Sequence, residues 1–142
     1  MATLRGRTAV IVGASGTRNF GSAIARRLAA EGASVVVSAR RAEPLQALAS
    51  ETGGLAVACD VSDESQLENL FAAAREKYGN VDIAVYSAGI HAGCTIARLT
   101  AAAIRPTLEI SFVGALLFFK HAAAAMDKGG SVVTISSLAA RI

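Results

Sequence analysis

Short runs of apolar, mostly β-branched residues alternate along this chain with longer segments whose apolar positions recur every three to four residues. The runs are Thr8 to Val12 (TAVIV), Ser34 to Ser38 (SVVVS), Leu55 to Cys59, Val81 to Tyr86 and Ser131 to Ile135. Each is too short for a helix and carries few polar breaks, the pattern of a strand covered on both faces in a parallel sheet. Between them, Phe20 to Glu31 places Ile24 and Leu28 at helical spacing, with Ala23, Ala25 and Ala29 filling in. Pro44 to Glu51 predicts a short helix with its proline in the first turn. Asp63 or Ser62 can cap a helix that carries Leu67, Leu70, Phe71 and Ala74 on one face and ends near Gly79. Pro106 to Met126 predicts a long helix. The order is β-α-β-α-β-α-β-α-β, and right-handed crossovers make it a doubly wound α/β fold. No repeat or linker interrupts it, so residues 1–142 are read as a single domain.

Composition narrows the chemistry. The chain is 53% hydrophobic but only 5% aromatic, so its core must be built from Ala, Val, Leu and Ile. The net charge of +3 comes from scattered arginines (Arg5, Arg7, Arg26, Arg27, Arg40, Arg41) with few aromatics among them, which does not predict a nucleic-acid surface. A phosphate-bearing cofactor needs only one or two of these arginines. Cys59 and Cys94 form neither a disulfide framework nor a metal-binding spacing, so no metal is expected and reduced thiols suit a cytoplasmic protein. Met1 to Arg7 is too short and polar for a signal peptide. The apolar stretch Ile110 to Phe119 falls short of the ~20 residues a bilayer requires, so no membrane association is expected.

The first strand runs into Gly13-Ala14-Ser15-Gly16-Thr17-Arg18-Asn19-Phe20-Gly21, and a helix follows. A glycine at a strand end permits a tight turn, and a helix N-terminus offers unpaired N–H groups and partial positive charge to a pyrophosphate. Gly21 would let that helix approach the strand closely. Placement between the first strand and first helix of a βαβ unit makes the stretch a dinucleotide-binding signal, of the Rossmann type with strand order 3-2-1-4-5 in a three-layer α/β/α arrangement. No Gly-Lys-Ser/Thr follows, which excludes a P-loop. At the end of the second strand, where an acidic residue would bind the ribose 2′-hydroxyl of NAD, the chain has Ala39-Arg40-Arg41. A 2′-phosphate can sit against a guanidinium there, which favours NADP(H) over NAD(H).

Taken in order, these motifs resemble the short-chain dehydrogenase/reductase family across essentially the whole chain. Phe20-Gly21-Ser22-Ala23-Ile24-Ala25 looks like the family's Ile-Gly-x-Ala-Ile-Ala, and Ala39-Arg40-Arg41 like its NADP branch. Cys59-Asp60-Val61 matches the Asp-Val pair that contacts adenine. Ser87-Ala88-Gly89 stands where the family has Asn-Ala-Gly, and Gly130 to Ser137 is similar to the strand that ends in the catalytic serine. Three departures are visible. The glycine loop is two residues longer, with Asn19 where the middle glycine should be. Ser87 replaces an Asn, and Ser111 stands where an Asn usually helps to hold a water and the active-site lysine. All three look like the enoyl-acyl-carrier-protein reductase branch, whereas Ser137 follows the main branch.

The resemblance implies a set of roles. Gly13, Ser15, Arg18, Asn19, Phe20 and Gly21 would hold the phosphates, and Arg40 the 2′-phosphate. Asp60 and Val61 would flank adenine, and Ser87, Ala88 and Gly89 would line the ribose and nicotinamide side. Ser137 would steady the substrate oxygen, with Ser111 in support. The family's tyrosine and lysine, arranged Tyr-x-x-x-Lys, carry the proton transfer and would follow Ser137 beyond Ile142, so the chain reads as incomplete at its C-terminal end and inactive alone. Tyr86 has no lysine four residues on, and Lys120 is expected to face solvent. The expected function is NADP(H)-dependent interconversion of a small carbonyl and an alcohol, with enoyl reduction as the alternative. A non-catalytic dinucleotide-binding module and another Rossmann-type protein, such as a nucleotide-sugar or methyl-transfer domain, stay open. The full-length form is expected to be a homo-oligomer, a dimer or tetramer, and the fifth strand and the face of Phe112, Leu116 and Phe119 to be apolar and uncovered.

Overall fold

A computed structural model describes residues 3–16 and 18–137. Five strands, β1 (Thr8–Val12), β2 (Ser34–Ala39), β3 (Leu55–Ala58), β4 (Ile83–Tyr86) and β5 (Ser131–Thr134), pair in the order β3-β2-β1-β4-β5. All four pairings are parallel, with Ile11 opposite Val37 on one side and Val85 on the other. Helices α1 (Phe20–Ala30) and α2 (Ala42–Thr52) cover one face. Helix α3 (Glu64–Tyr78) and a long C-terminal helix cover the other. This is the Rossmann-type doubly wound sheet that the alternation of strand and helix patterns predicts.

The period-two geometry of β1 divides the core. Ala9 and Ile11 pack toward α1 and α2 with Leu45 and Leu48, while Val10 and Val12 pack toward α3 with Leu67 and Leu70. Aliphatic side chains dominate, but four of the few aromatics gather in one place. Phe118 is fully buried, with ring centroids 5.2 Å from Phe71 and 5.3 Å from Tyr86, the latter edge-on, and Phe119 lies 6.3 Å from Tyr86. Of the two candidate caps on α3, Asp63 is the one used: its Oδ1 accepts from the Ser65 N–H at 3.0 Å. Gly79 ends that helix at φ +85°.

Asp82, just ahead of β4, ties the N-terminal ends of two strands together. Its Oδ1 accepts from Arg7 at 2.7 Å, its Oδ2 from the Thr8 N–H at 2.9 Å, and its own N–H donates to Thr8 O at 2.9 Å. Its carbonyl accepts from the Ser131 N–H at 2.9 Å, so one residue joins β1, β4 and β5. Burial alone would push the Asp82 carboxyl up, but the bonds from Thr8, Arg7 and Asn80 outweigh it and hold the group below the usual carboxylate range.

Some expected boundaries move. The strand expected from Val81 begins at Ile83, because the Val81 N–H turns to Ala125 O at 3.2 Å instead of a strand partner. The long helix begins at Ala101, five residues before Pro106. Thr100 caps it by accepting from the Ala103 N–H at 3.2 Å. Pro106 therefore sits inside the helix, on an exposed turn where water can satisfy the carbonyl it leaves without a donor. The helix comprises α4 (Ala101–Leu108), one π-turn (Glu109–Val113) and α5 (Gly114–Ala125). At 25 residues it is long and apolar enough to cross a bilayer by length and composition, whereas the apolar stretch read from the sequence was too short. Only its inner side meets the core, where Phe118 and Ala122 are fully buried against α3 and β4. The outer side is bare: Phe112 is 60% exposed, Leu116 52%, and Val133 on β5 45%.

Two outcomes follow from this packing. Phe118→Ala should cost about 3–5 kcal/mol in urea unfolding, the range for a large buried aromatic; a loss below 1 kcal/mol would mean the ring cluster does not carry the core. Because the native Asp82 carboxyl is depressed, its stabilisation is present above the ordinary carboxylate range and is lost as pH falls through the lowered native value. Asp82→Asn should therefore flatten the acid limb of a stability–pH curve; an unchanged limb would place acid sensitivity elsewhere.

Candidate functional site

The end of β1 is crowded by its neighbours. Gly13 follows Val12 with φ +82°, and the N–H groups of Gly13 and Ala14 both donate to Ser38 O, at 2.9 and 3.1 Å. A Cβ on Gly13 would lie 2.5 Å from the Ser87 carbonyl carbon and oxygen, so the chain must turn here without a side chain. Gly21 is the second close approach: a Cβ there would meet Gly13 O at 2.7 Å. That contact seats the start of α1 on the strand end.

Two side chains stitch the loop. Asn19, at the position of the missing glycine, is the N-cap of α1, its Oδ1 accepting from the Ser22 N–H at 2.8 Å. The fully buried Ser22 hydroxyl bonds to Gly16 O and, at 3.3 Å, to Ala14 O. The longer loop thus closes on its own helix, and Ser22, the residue after Gly21, is a contributor that sequence reasoning missed.

A cleft of about 300 Å³ opens above these strand ends. Of the residues singled out in the sequence, Gly13, Ser15, Asn19, Phe20, Arg40, Asp60, Val61, Ser87, Ala88 and Gly89 line it. Gly21 lies beneath it, and Arg18 is exposed on the loop, outside the lining. Asp60 is held as a carboxylate: Ser62 donates to Oδ1 through its hydroxyl at 2.7 Å and its N–H at 3.0 Å, and Arg40 adds a nearby positive charge. Those bonds outweigh burial and keep its carboxyl below the usual range. The two arginines after β2 diverge. Arg40 lines the cleft, whereas Arg41 reaches back to the glycine loop and donates to Ser15 O at 3.0 Å. The Arg-Arg pair in the sequence signals both cations but not which one turns inward. Cys59 also borders the cleft; burial pushes its thiol up to about 11, so it is a packing group rather than a nucleophile.

A second hollow of about 810 Å³ adjoins the first along Ala88, Gly89 and Ile90. Ser111 and Ser137 both line it, with His91, Thr134 and the apolar Phe112, Leu116 and Phe119. The fold therefore brings the two candidate serines to one hollow beside the cleft. Ser111 Oγ donates to Ile90 O at 3.4 Å. Tyr86 borders this hollow, but burial drives its phenol far above the ordinary value and its hydroxyl donates to Ile110 O, so it serves as a donor and not as an acid–base group. Lys120 is exposed and paired with Glu64 at 2.6 Å, and His121 Nε2 lies 3.3 Å from the same carboxylate. Among the described residues, no cluster of His, Cys, Asp and Glu could hold a metal ion.

Comparison with known proteins identifies this arrangement. Residues 7–142 match the short chain dehydrogenase family. Carbonyl reductase family member 4 of Xenopus tropicalis is 36% identical over 126 residues, covering 87% of this chain and 53% of the relative. A short-chain dehydrogenase/reductase from Mycobacterium marinum superposes with a TM-score of 0.91 at 30% identity, covering 99% of this chain and 60% of that one. The F189W variant of actinorhodin polyketide ketoreductase, solved with NADPH, gives 0.89 at 29% identity, covering all of this chain and 56% of that one. The chain spans a little over half the length of the curated relatives it matches. With the Rossmann-type sheet, the glycine turn at the end of β1 and the match running from Arg7 onward, the chain belongs to the short-chain dehydrogenase/reductase family of oxidoreductases.

Proposed function

We propose that residues 1–142 form the NADP(H)-binding portion of an oxidoreductase that interconverts a small carbonyl compound and an alcohol. The observation that carries this reading is Arg40 on the cleft wall at the end of β2, where Ala39 and Arg40 stand in place of the acidic residue that would bind a ribose 2′-hydroxyl. The donor set fits the cofactor. The start of α1 and the Gly13 turn suit a pyrophosphate, Asp60 and Val61 suit adenine, and Ser87 to Gly89 lead from the cleft into the second hollow. The nicotinamide would supply the hydride, and the protein's part is to bind, orient and steady. Ser137 would donate its hydroxyl to the substrate oxygen from the hollow that Ser111 also lines. A Tyr-x-x-x-Lys pair has no counterpart in residues 1–142, so this portion is assigned cofactor and substrate-oxygen binding rather than proton transfer. The likeness to carbonyl reductase family member 4 and to a polyketide ketoreductase solved with NADPH supports a carbonyl substrate and this cofactor.

Enoyl reduction is the second reading. The longer loop capped by Asn19 favours it, as do Ser87 and Ser111 at positions where the main branch carries Asn.

Titration of the protein with NADPH and NADH, followed by nucleotide fluorescence, tests the cofactor. NADPH should bind saturably and more tightly than NADH. Arg40→Ala should weaken NADPH by about tenfold, the worth of one charged hydrogen bond at an exposed site, and leave NADH almost unchanged. Equal loss for both nucleotides would remove the 2′-phosphate role, and no saturable binding of either would overturn the reading.

A further inference from the structure

The π-turn in the long helix shifts the backbone register at Gly114 by one residue. In an unbroken α-helix the Gly114 N–H would donate to Ile110 O, four residues back. Here it donates to Glu109 O, five residues back. The Ile110 carbonyl, half-buried on the core, is taken by the hydroxyl of Tyr86 instead. The side chain at the end of β4 thus supplies a donor to a carbonyl that no longer receives the Gly114 N–H.

The surroundings are shaped to the same contact. A Cβ on Gly114 would lie 2.9 Å from the Tyr86 hydroxyl and 2.8 Å from Val61 O, so only glycine lets the helix come this close. The Tyr86 ring is wedged edge-on against Phe118 and Phe119, which limits where the hydroxyl can reach. The contact also sits at the junction of the two cavities. Ile110 lines the cleft, and Ser111, the next residue, lines the hollow and donates to Ile90 O. Returning the turn to α-helical register would rotate both side chains by about 100°, the angle of one helical residue.

We propose that Tyr86 is a positioning residue: its hydroxyl holds the Ile110 carbonyl released by the π-turn, and so fixes Ile110 on the cleft wall and Ser111 in the adjoining hollow. The inference rests on the proposed function for what the two cavities bind, but not for the existence of the latch. Tyr86 borders the hollow, but its hydroxyl is engaged by the Ile110 carbonyl, so it acts through the backbone of the long helix.

Tyr86→Phe keeps the ring cluster and removes only the hydroxyl. In the full-length protein, amide NMR should show Gly114 exchanging at least tenfold faster, with chemical-shift changes centred on Ile110 to Gly114, and NADPH affinity should fall several-fold. Phe71→Leu serves as the control for lost core packing. It should lower stability while leaving the Gly114 amide and NADPH affinity as they are. Unchanged Gly114 exchange in Tyr86→Phe would overturn the latch. A shifted Gly114 amide with unchanged NADPH affinity would overturn the positioning role. If the unsubstituted protein binds no NADPH, the proposed cofactor fails, and the amide measurement still decides whether Tyr86 holds the turn.

Discussion

Val12 is paired with Ser38 on one side and Tyr86 on the other, and the residue after it must leave the sheet through the gap between those strands. Gly13 does so with its backbone pressed against Ser87, at a distance no side chain would permit, and Gly21 brings α1 down onto Gly13 in turn. The site follows from that double approach. The helix start sits over the point where the strand order reverses, Asn19 caps it from the loop, and the walls come from the ends of β2, β3 and β4. A methyl group on Gly13 would collide with Ser87 at the end of β4, and one on Gly21 would push α1 off the strand end.

The two cavities divide the chemistry by composition. The cleft is walled by backbone groups, Asp60 and Arg40, which can meet a charged, extended ligand. The adjoining hollow is mostly apolar, with hydroxyls from Ser111 and Ser137 on its wall. A hydride donor held in the first and a reacting carbon held in the second would meet along Ala88 to Ile90, which border both.

Local signals were the legible ones. The β-branched runs marked all five strands, and Asp63 and Gly79 marked both ends of α3, because each feature is decided within a few residues. The start of the long helix was not legible. Thr100 precedes three alanines that carry no periodicity, while Pro106 looks like a first-turn residue. The inward turn of Arg40 and the outward reach of Arg41 to Ser15, 26 residues earlier, depend on side-chain geometry rather than order. Tyr86 reads only as the last residue of an apolar strand. Its bond to Ile110 exists because the helix slips by one residue, and nothing in the spacing of Glu109 to Gly114 announces that slip. Most of the positions expected to line a nucleotide cleft do meet there, since a parallel sheet delivers its strand ends to one edge; Arg18, on the exposed side of the loop, has no strand to deliver it.

The clamp at Asp82 also bears on how the molecule is made. Arg7 and Asp82 are 75 positions apart, and β1 gains its second neighbour only when β4 is present. During synthesis β1, β2 and their helices can associate early, because their contacts are close in sequence, while the central strand keeps one bare edge until more than half of this chain has emerged. The nascent chain therefore has no floor under its glycine turn through that interval. The cleft above the strand ends forms only once β4 docks, because Ser87, Ala88 and Gly89 supply one of its walls.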